Sequence, residues 1–267
     1  GEIIHSDICG PINPVGPRHE KYMIYFLDDF THEGFLYHMQ NRSEASDMLK
    51  QFVKDFGATP GCIQTVRADN AQEYKGGEFA RLCSAMNIQQ AFSAPYTPQQ
   101  NGRVERRWQT LNNMARCMLL ESSLPKELWV LACSHANAKL NTLLLKPAST
   151  FSTKPADNPI IWGQRTIVKE LNPAHRTSKF DAKGIEARFV GYSSQHSARL
   201  YYIPSTKKII TSRDDVLIHH DIATPQQPTK AAKSDSFHTN DTWVLHDTIF
   251  QAIERIVGPH DWDLFAS

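Results

Sequence analysis

Short apolar and aromatic runs open the chain. Ile3-Ile4, residues 22–27 and Gly34–Met39 are separated by Pro, Gly and charged residues, and each reads as a strand. The second and third lie close enough to predict an antiparallel pair joined by a tight turn. Residues 43–56 change period. Ala45, Met48, Leu49, Phe52, Val53 and Phe56 recur at helical spacing, and Gly57 fits the stop. Residues 63–66 and 88–92 read as two further strands, with a short helix over 78–86 between them. A longer helix is predicted from about 102 to 121, with Val104, Trp108, Leu111, Ala115, Met118 and Leu119 on its apolar face. Another follows Pro125, which suits a first helical turn. A three-strand meander followed by helices alternating with two strands predicts an α/β domain over 1–145: a mixed five-stranded sheet flanked by helices.

The pattern then changes. Residues 146–158 hold prolines and several Ser, Thr and Asn without periodicity, so 146–164 reads as a linker. Four strand-like runs follow (187–192, 200–203, 209–211 and 216–218), punctuated by turn residues, which predicts a small all-β module over 165–222. The remainder, 223–267, reads as a flexible tail. Its 223–239 stretch is a Pro-, Gln-, Lys- and Ser-bearing spacer, and apolar residues between Trp243 and Val257 allow a terminal helix. No internal repeat is visible.

Composition adds three constraints. No apolar run approaches the ~18 residues that cross a bilayer, and no signal peptide is visible, so neither a membrane nor secretion is expected. The chain starts at Gly1 without an initiator methionine, as a fragment or processed product would. Five cysteines, far apart and without a C-x-x-C pair, suit free thiols in a reducing compartment. Charge matters most. The net charge of +1 argues at first sight against a polyanionic partner. Yet residues 1–164 carry 16 basic and 16 acidic side chains, 165–213 carry 10 and 3 (net +7), and 214–267 carry 3 and 9 (net −6). A basic block beside an acidic tail points back towards polyanions.

Three carboxylates stand out by position. Asp7 ends the first strand, just before Gly10-Pro11; Asp69 follows the strand at 63–66; Glu105 lies in the first turn of the long helix. Glu105 shares a helix face with Gln109, Asn112 and Arg116, opposite the apolar stripe. Strand ends and helix starts on one sheet edge are where α/β folds place ligands. Converging carboxylates repel unless cations neutralise them, and Mg²⁺ or Mn²⁺, with oxygen ligands and substrate phosphate, meets that need. Taken singly, each has an ordinary structural reading as a turn former, a cap or a first-turn acid.

Their context is more specific. Asp69 and Glu105 are separated by 35 residues, Asp69-Asn70 leads to Glu73-Tyr74, and Pro95-Tyr96-Thr97-Pro98-Gln99-Gln100-Asn101-Gly102 precedes Glu105. With His5-Ser6-Asp7 and Gly10-Pro11, this resembles the integrase of copia-type LTR retrotransposons, members of the retroviral integrase superfamily. Lys179-Phe180-Asp181-Ala182-Lys183, Phe189-Val190-Gly191-Tyr192 and Ser212-Arg213-Asp214 resemble the SH3-like module that follows the core in such polyproteins. The resemblance implies an RNase H-like core with a D,D-35-E triad of Asp7, Asp69 and Glu105 holding two Mg²⁺ or Mn²⁺ ions. It implies a nucleotidyltransferase and endonuclease that processes retroelement DNA 3′ ends and joins them to target DNA. It also implies a homo-oligomer acting in the nucleus after a cytoplasmic particle stage. Two ions ~3.5–4 Å apart suit in-line displacement, with no covalent nucleophile required.

Asn101, Arg103, Arg106, Arg107, Gln109 and Asn112 are the candidate DNA contacts, because Arg forks match phosphate oxygens. A solvated helix face is the alternative for the arginines, Arg116 included. Trp108 reads as core rather than as a stacking platform. His5 with Cys9, and His219-His220-Asp221, lack partners at zinc spacing. Asp28-Asp29 read as a solvent-facing or capping pair, and Glu73 as a possible neighbour of the site. Ala71-Gln72 stands where the family has Gly-Gly, and Arg103 where it has a small or apolar residue. A degenerate or co-opted DNA-binding or assembly module without catalysis is therefore the alternative function.

Overall fold

The computed structural model describes residues 1–57, 61–92, 102–144, 160–169, 184–193, 198–213 and 215–217. Strand β1 (Ile3–Cys9) is central to the first sheet. It pairs antiparallel with β2 (Tyr22–Asp28), which pairs antiparallel with β3 (Gly34–Met39). On its other side β1 runs parallel to β4 (Thr65–Ala68), and β4 parallel to β5 (Gln89–Phe92). The order β3-β2-β1-β4-β5 is the mixed five-stranded sheet expected. β1 runs further than its opening Ile3-Ile4 suggests, so Asp7 lies within the strand rather than at its end. The added residues are polar, but His5 and Ser6 are buried against partners remote in sequence.

Helices cover both faces, and β2 shows why. All but its first residue are buried, the continuous pattern of a strand sandwiched between two layers. Ile24 and Phe26 face α1 (Ala45–Asp55) and α3 (Gly77–Ala85), where Phe26 and Phe52 stack at 4.5 Å. Met23, Tyr25 and Leu27 face α4 (Gly102–Ser122) and α5 (Trp129–Leu144). Glu44 accepts from the Asn41 amide (2.9 Å) ahead of α1, satisfying a backbone donor at its approach. A four-residue helix, α2 (Gln72–Lys75), absent from the sequence reading, follows β4.

Five antiparallel strands make the second sheet: β6 (Arg165–Lys169), β7 (Gly184–Tyr192), β8 (Arg199–Ile203), β9 (Lys208–Ser212) and β10 (Asp215–Leu217). Their order is β10-β6-β7-β8-β9, an all-β arrangement compatible with an SH3-like module. β6 is the strand the sequence reading lacks. Thr166 and Val168 point inward while Ile167 is exposed, so alternation is present but too short to register beside charged ends. The β7–β8 register shifts between Phe189 and Gly191, and Gly191 takes φ +131°, a backbone state open mainly to glycine.

Residues 1–223 form one compact unit. Trp162, Val190 and Tyr202 join the same apolar cluster as Trp129, Val130 and Cys133 of α5. His135 sits between Phe189 (5.7 Å, edge-on) and Tyr192 (6.0 Å, stacked). Burial there drives its imidazole pKa down to about 4, with Lys139 adding to the effect, so it packs as a neutral ring. Of the expected linker, 146–159 lies outside the described residues, while Ile160 and Trp162 just before β6 are buried. The last residues of the expected β module, 218–222 with His219-His220-Asp221, and the whole expected tail, 223–267 with any terminal helix, also lie outside them.

Candidate functional site

Asp7 stands on the face of β1 that looks towards α4, directly opposite Tyr25 of β2. Its Oδ1 accepts from the Ile8 amide (2.9 Å) and its Oδ2 from the Trp108 indole N–H (3.0 Å). The parallel register of β1 and β4 sets His5 beside Arg67. Asp69 follows directly after the last residue of β4, near enough for its charge to act on Asp7. Asp69 turns the chain there, its Oδ1 accepting from the Ala71 amide (3.1 Å) ahead of α2. Glu105 lies in the first turn of α4, one turn before Trp108, on an exposed face.

Electrostatics ties the three together. The Asp7 carboxyl is pushed up to about 6, first by burial and then by the charge of Asp69. The Ile8 and Trp108 N–H groups pull it down, and Glu105 raises it by a smaller amount. Uncompensated carboxylates sharing one site behave this way, and an added cation reverses the effect. The donor set fits a hard divalent ion: carboxylate oxygens, part-exposed, with no competing thiolate or imidazole on Asp7. Among the described residues no group of three His, Cys, Asp or Glu side chains stands close enough to hold a metal ion as it is.

The candidate DNA contacts separate. Arg103 is exposed and pairs with Asp29 (2.7 Å); Arg106 is exposed and turns back on the Gly102 carbonyl (3.2 Å). Gln109 is exposed and Asn112 half-buried on the same helix, while Asn101 lies outside the described residues. Arg116, also exposed, donates to Asn113 (2.9 Å). Arg107 departs from expectation. It is 8% exposed, donates from Nε to the Tyr25 hydroxyl (2.7 Å) and from Nη2 to Asn141 Oδ1 (2.8 Å), and so is withdrawn from any phosphate at the surface. Helical spacing held the signal, since Arg107 falls at i+3 on the stripe Val104, Trp108, Leu111 and Ala115.

Other residues of the site were read differently from sequence. Trp108 is core, as expected, and is also a hydrogen-bond donor to Asp7. Tyr74 is fully buried, and its hydroxyl shares a hydrogen bond with Ser6 Oγ (2.9 Å), beside Asp7. Glu73 pairs with Arg42 (3.3 Å), whose guanidinium also reaches the Gly10 carbonyl (3.4 Å), so one arginine ties the chain beyond Asp7 to the chain beyond Asp69. Nothing local in the sequence pairs Arg42 with Glu73; only the fold does. His5 Nε2 donates to Asp29 Oδ1 (2.7 Å), which also accepts from Arg103, and Asp28 caps the turn through Thr31. Asp28 is buried and Asp29 engaged, so this pair caps and braces a turn rather than facing solvent.

Comparison with known proteins now adds weight. The integrase core domain family matches residues 1–98, a stretch that holds Asp7 and Asp69 and ends before Glu105. The retroviral polymerase SH3-like domain family matches residues 167–231. The retrovirus-related Pol polyprotein from transposon TNT 1-94 of Nicotiana tabacum is 27% identical over 242 residues, covering 87% of this chain and 18% of its own length. That from transposon RE2 of Arabidopsis thaliana is 30% identical over 226 residues, covering 79% and 15%. A solved structure of the HTLV-2 integrase catalytic core domain in complex with magnesium, in a trimeric form, is 18% identical with a TM-score of 0.41, covering 55% of this chain and 89% of that one. The chain spans under a fifth of the length of the two polyproteins. Its residues 1–98 thus resemble an integrase core domain and its residues 167–231 a retroviral polymerase SH3-like domain, and the chain is similar to segments of retrotransposon Pol polyproteins.

Proposed function

We propose that this chain is the integrase of a copia-type LTR retrotransposon, a polynucleotidyl transferase that processes DNA 3′ ends and joins them to target DNA. The observation that carries the reading is that the charges of Asp69, just after β4, and of Glu105 on α4 both act on Asp7 of the neighbouring strand and raise its carboxyl. Asp7, Asp69 and Glu105 are the residues that would hold Mg²⁺ or Mn²⁺. Bound there, the ions would activate the attacking oxygen and stabilise the leaving one.

The chain's own residues orient and bind. β1 carries Asp7, the turn after β4 carries Asp69, and α4 brings Glu105 on a separate element. Arg103, Arg106, Gln109 and Asn112 of α4 would present donors to the DNA backbone, and Asn101, which precedes the helix in sequence, belongs to the same proposed set. The net +7 block of 165–213 adds phosphate attraction whose strength falls steeply with salt. The domains fall as 1–145 for the core, 146–164 for its connection, 165–222 for the SH3-like module and 223–267 for the tail. Homo-oligomerisation, and action in the nucleus after a cytoplasmic particle stage, belong to the same proposal.

The test is a joining assay with a short duplex carrying the element's terminal sequence and Mn²⁺ or Mg²⁺. Alanine at Asp7, Asp69 or Glu105 abolishes joining and leaves duplex affinity within about twofold. Parent protein that neither joins nor nicks DNA under any metal condition sinks the catalytic reading. That result favours the second one, a DNA-binding or assembly module, which draws support from the carboxylates not standing in a ready metal-holding group and from Ala71-Gln72.

A further inference from the structure

Two donors of different origin orient Asp7. The Ile8 amide belongs to the same strand; the Trp108 indole comes from a helix 101 residues away. Trp108 is only 7% exposed, and its ring rests on Tyr25 at 5.3 Å and 56°. Tyr25 is itself fixed from two sides: its hydroxyl accepts from Arg107 Nε (2.7 Å) and donates to Asn137 Oδ1 (2.6 Å). An indole carries one N–H donor and no acceptor atom. With the ring wedged against Tyr25, that single donor has one direction, and Asp7 lies along it.

We propose that Trp108 is a positioning residue whose indole N–H fixes the Asp7 carboxylate in one orientation before a divalent cation arrives, with Tyr25, Arg107 and Asn137 fixing the indole in turn. The inference rests on the reading of Asp7 as a cation ligand. An ionised carboxylate offers about four lone-pair sites, and the two donors use two, so indole and cation do not compete. A side-chain donor held this rigidly removes the freedom Asp7 would otherwise lose on binding. Partners standing behind metal ligands change affinity or activity by roughly 10–100-fold when removed.

The test replaces Trp108 by 3-benzothienylalanine, which keeps the ring's size and lacks the N–H, with Trp108→Phe as a second variant. Mn²⁺ affinity is measured by calorimetry, alongside the thermal midpoint of metal-free protein and duplex affinity. The expected result is Mn²⁺ affinity lower by about tenfold or more in both variants, with the isostere's metal-free midpoint and duplex affinity unchanged. A second readout needs no metal: the Trp108 indole ¹⁵N–¹H resonance, assigned by its absence in Trp108→Phe, moves on Asp7→Asn substitution. An isostere that binds Mn²⁺ as tightly as the parent, or an indole resonance indifferent to Asp7→Asn, overturns the inference. A parent chain that takes up no Mn²⁺ overturns the cation reading and this inference together, and its own isotherm tells that outcome from the others.

Discussion

The two faces of the first sheet share strands and little else. On the α1–α3 side the packing is aromatic: Phe26 stacks on Phe52, and Phe35 and Phe56 close around them. On the α4–α5 side, one residue along β2, a polar set is buried within the apolar cluster. Tyr25, Arg107, Asn137 and Asn141 form a connected set that ends on Gly34, whose carbonyl accepts from both asparagines (2.7 and 2.9 Å) and whose amide donates to Asn141 (3.0 Å). A Cβ on Gly34 would collide with the Tyr25 hydroxyl, so the close approach admits glycine alone. The contrast separates two ways of stabilising a sheet. Apolar area holds both faces, and on the second the mutually satisfied donors and acceptors add a fixed arrangement. Asp7 lies on the second, where geometry is most constrained.

The comparison breaks first at Phe52. Phe52→Ala is expected to cost about 3–5 kcal/mol by urea unfolding, with duplex joining per folded molecule unchanged. Arg107→Ala comes next. It removes the charged donor from the Tyr25 hydroxyl, which keeps Asn137, and from Asn141 Oδ1, which keeps the Gly34 amide, costing about 2–3 kcal/mol by the same measurement, and it depresses joining as well, because α4 carries Glu105 and Trp108. Arg107→Lys does not restore either, since a compact ammonium lacks the planar fork whose Nε and Nη2 reach Tyr25 and Asn141 together.

Asp7 gives the opposite sign. Its carboxyl titrates near 6 in the fold and near 3.8 unfolded, so the folded state binds more protons between those values. Metal-free stability is therefore fully present below about pH 4 and falls as pH rises through 6, by at most about 3 kcal/mol. Asp7→Asn removes that loss. At pH 8 without metal the variant melts above the parent, and at pH 4 the two converge. A parent no less stable than Asp7→Asn at pH 8 contradicts the crowding of charge at this site. The smallest structural effect belongs to Arg106→Ala, within about 0.5 kcal/mol in unfolding, yet it lowers duplex affinity and reduces the salt slope by about one. Arg106 and Arg107 are thus neighbours in sequence with inverted phenotypes.

Local pattern made much of this legible. The Gly34–Met39 strand is readable as a short apolar and aromatic run, and the long amphipathic helix from Gly102 because it buries the face its periodicity marks. β6 was not, since five residues with charged ends carry too little alternation. The extension of β1 through Asp7 was hidden because His5 and Ser6 are buried by Asp29 and Tyr74, partners that only the fold supplies. Arg107 was misread because its charge outweighed its place on the apolar stripe. The positions of Asp7, Asp69 and Glu105 could be named from their spacing and motif context. The Trp108 and Arg42 contacts around them could not, because both join segments far apart in the chain.

The central claim is that Asp7 and Asp69 make a cation site. The most direct measurement is the thermal midpoint at pH 7.5 with and without Mn²⁺, for the parent and for Asp69→Asn. At about 100 times the dissociation constant, binding stabilises by ~2.7 kcal/mol, so the parent should rise by roughly 5–10 °C. Asp69→Asn should not move. Equal shifts in the two proteins, or none in the parent, would contradict the account.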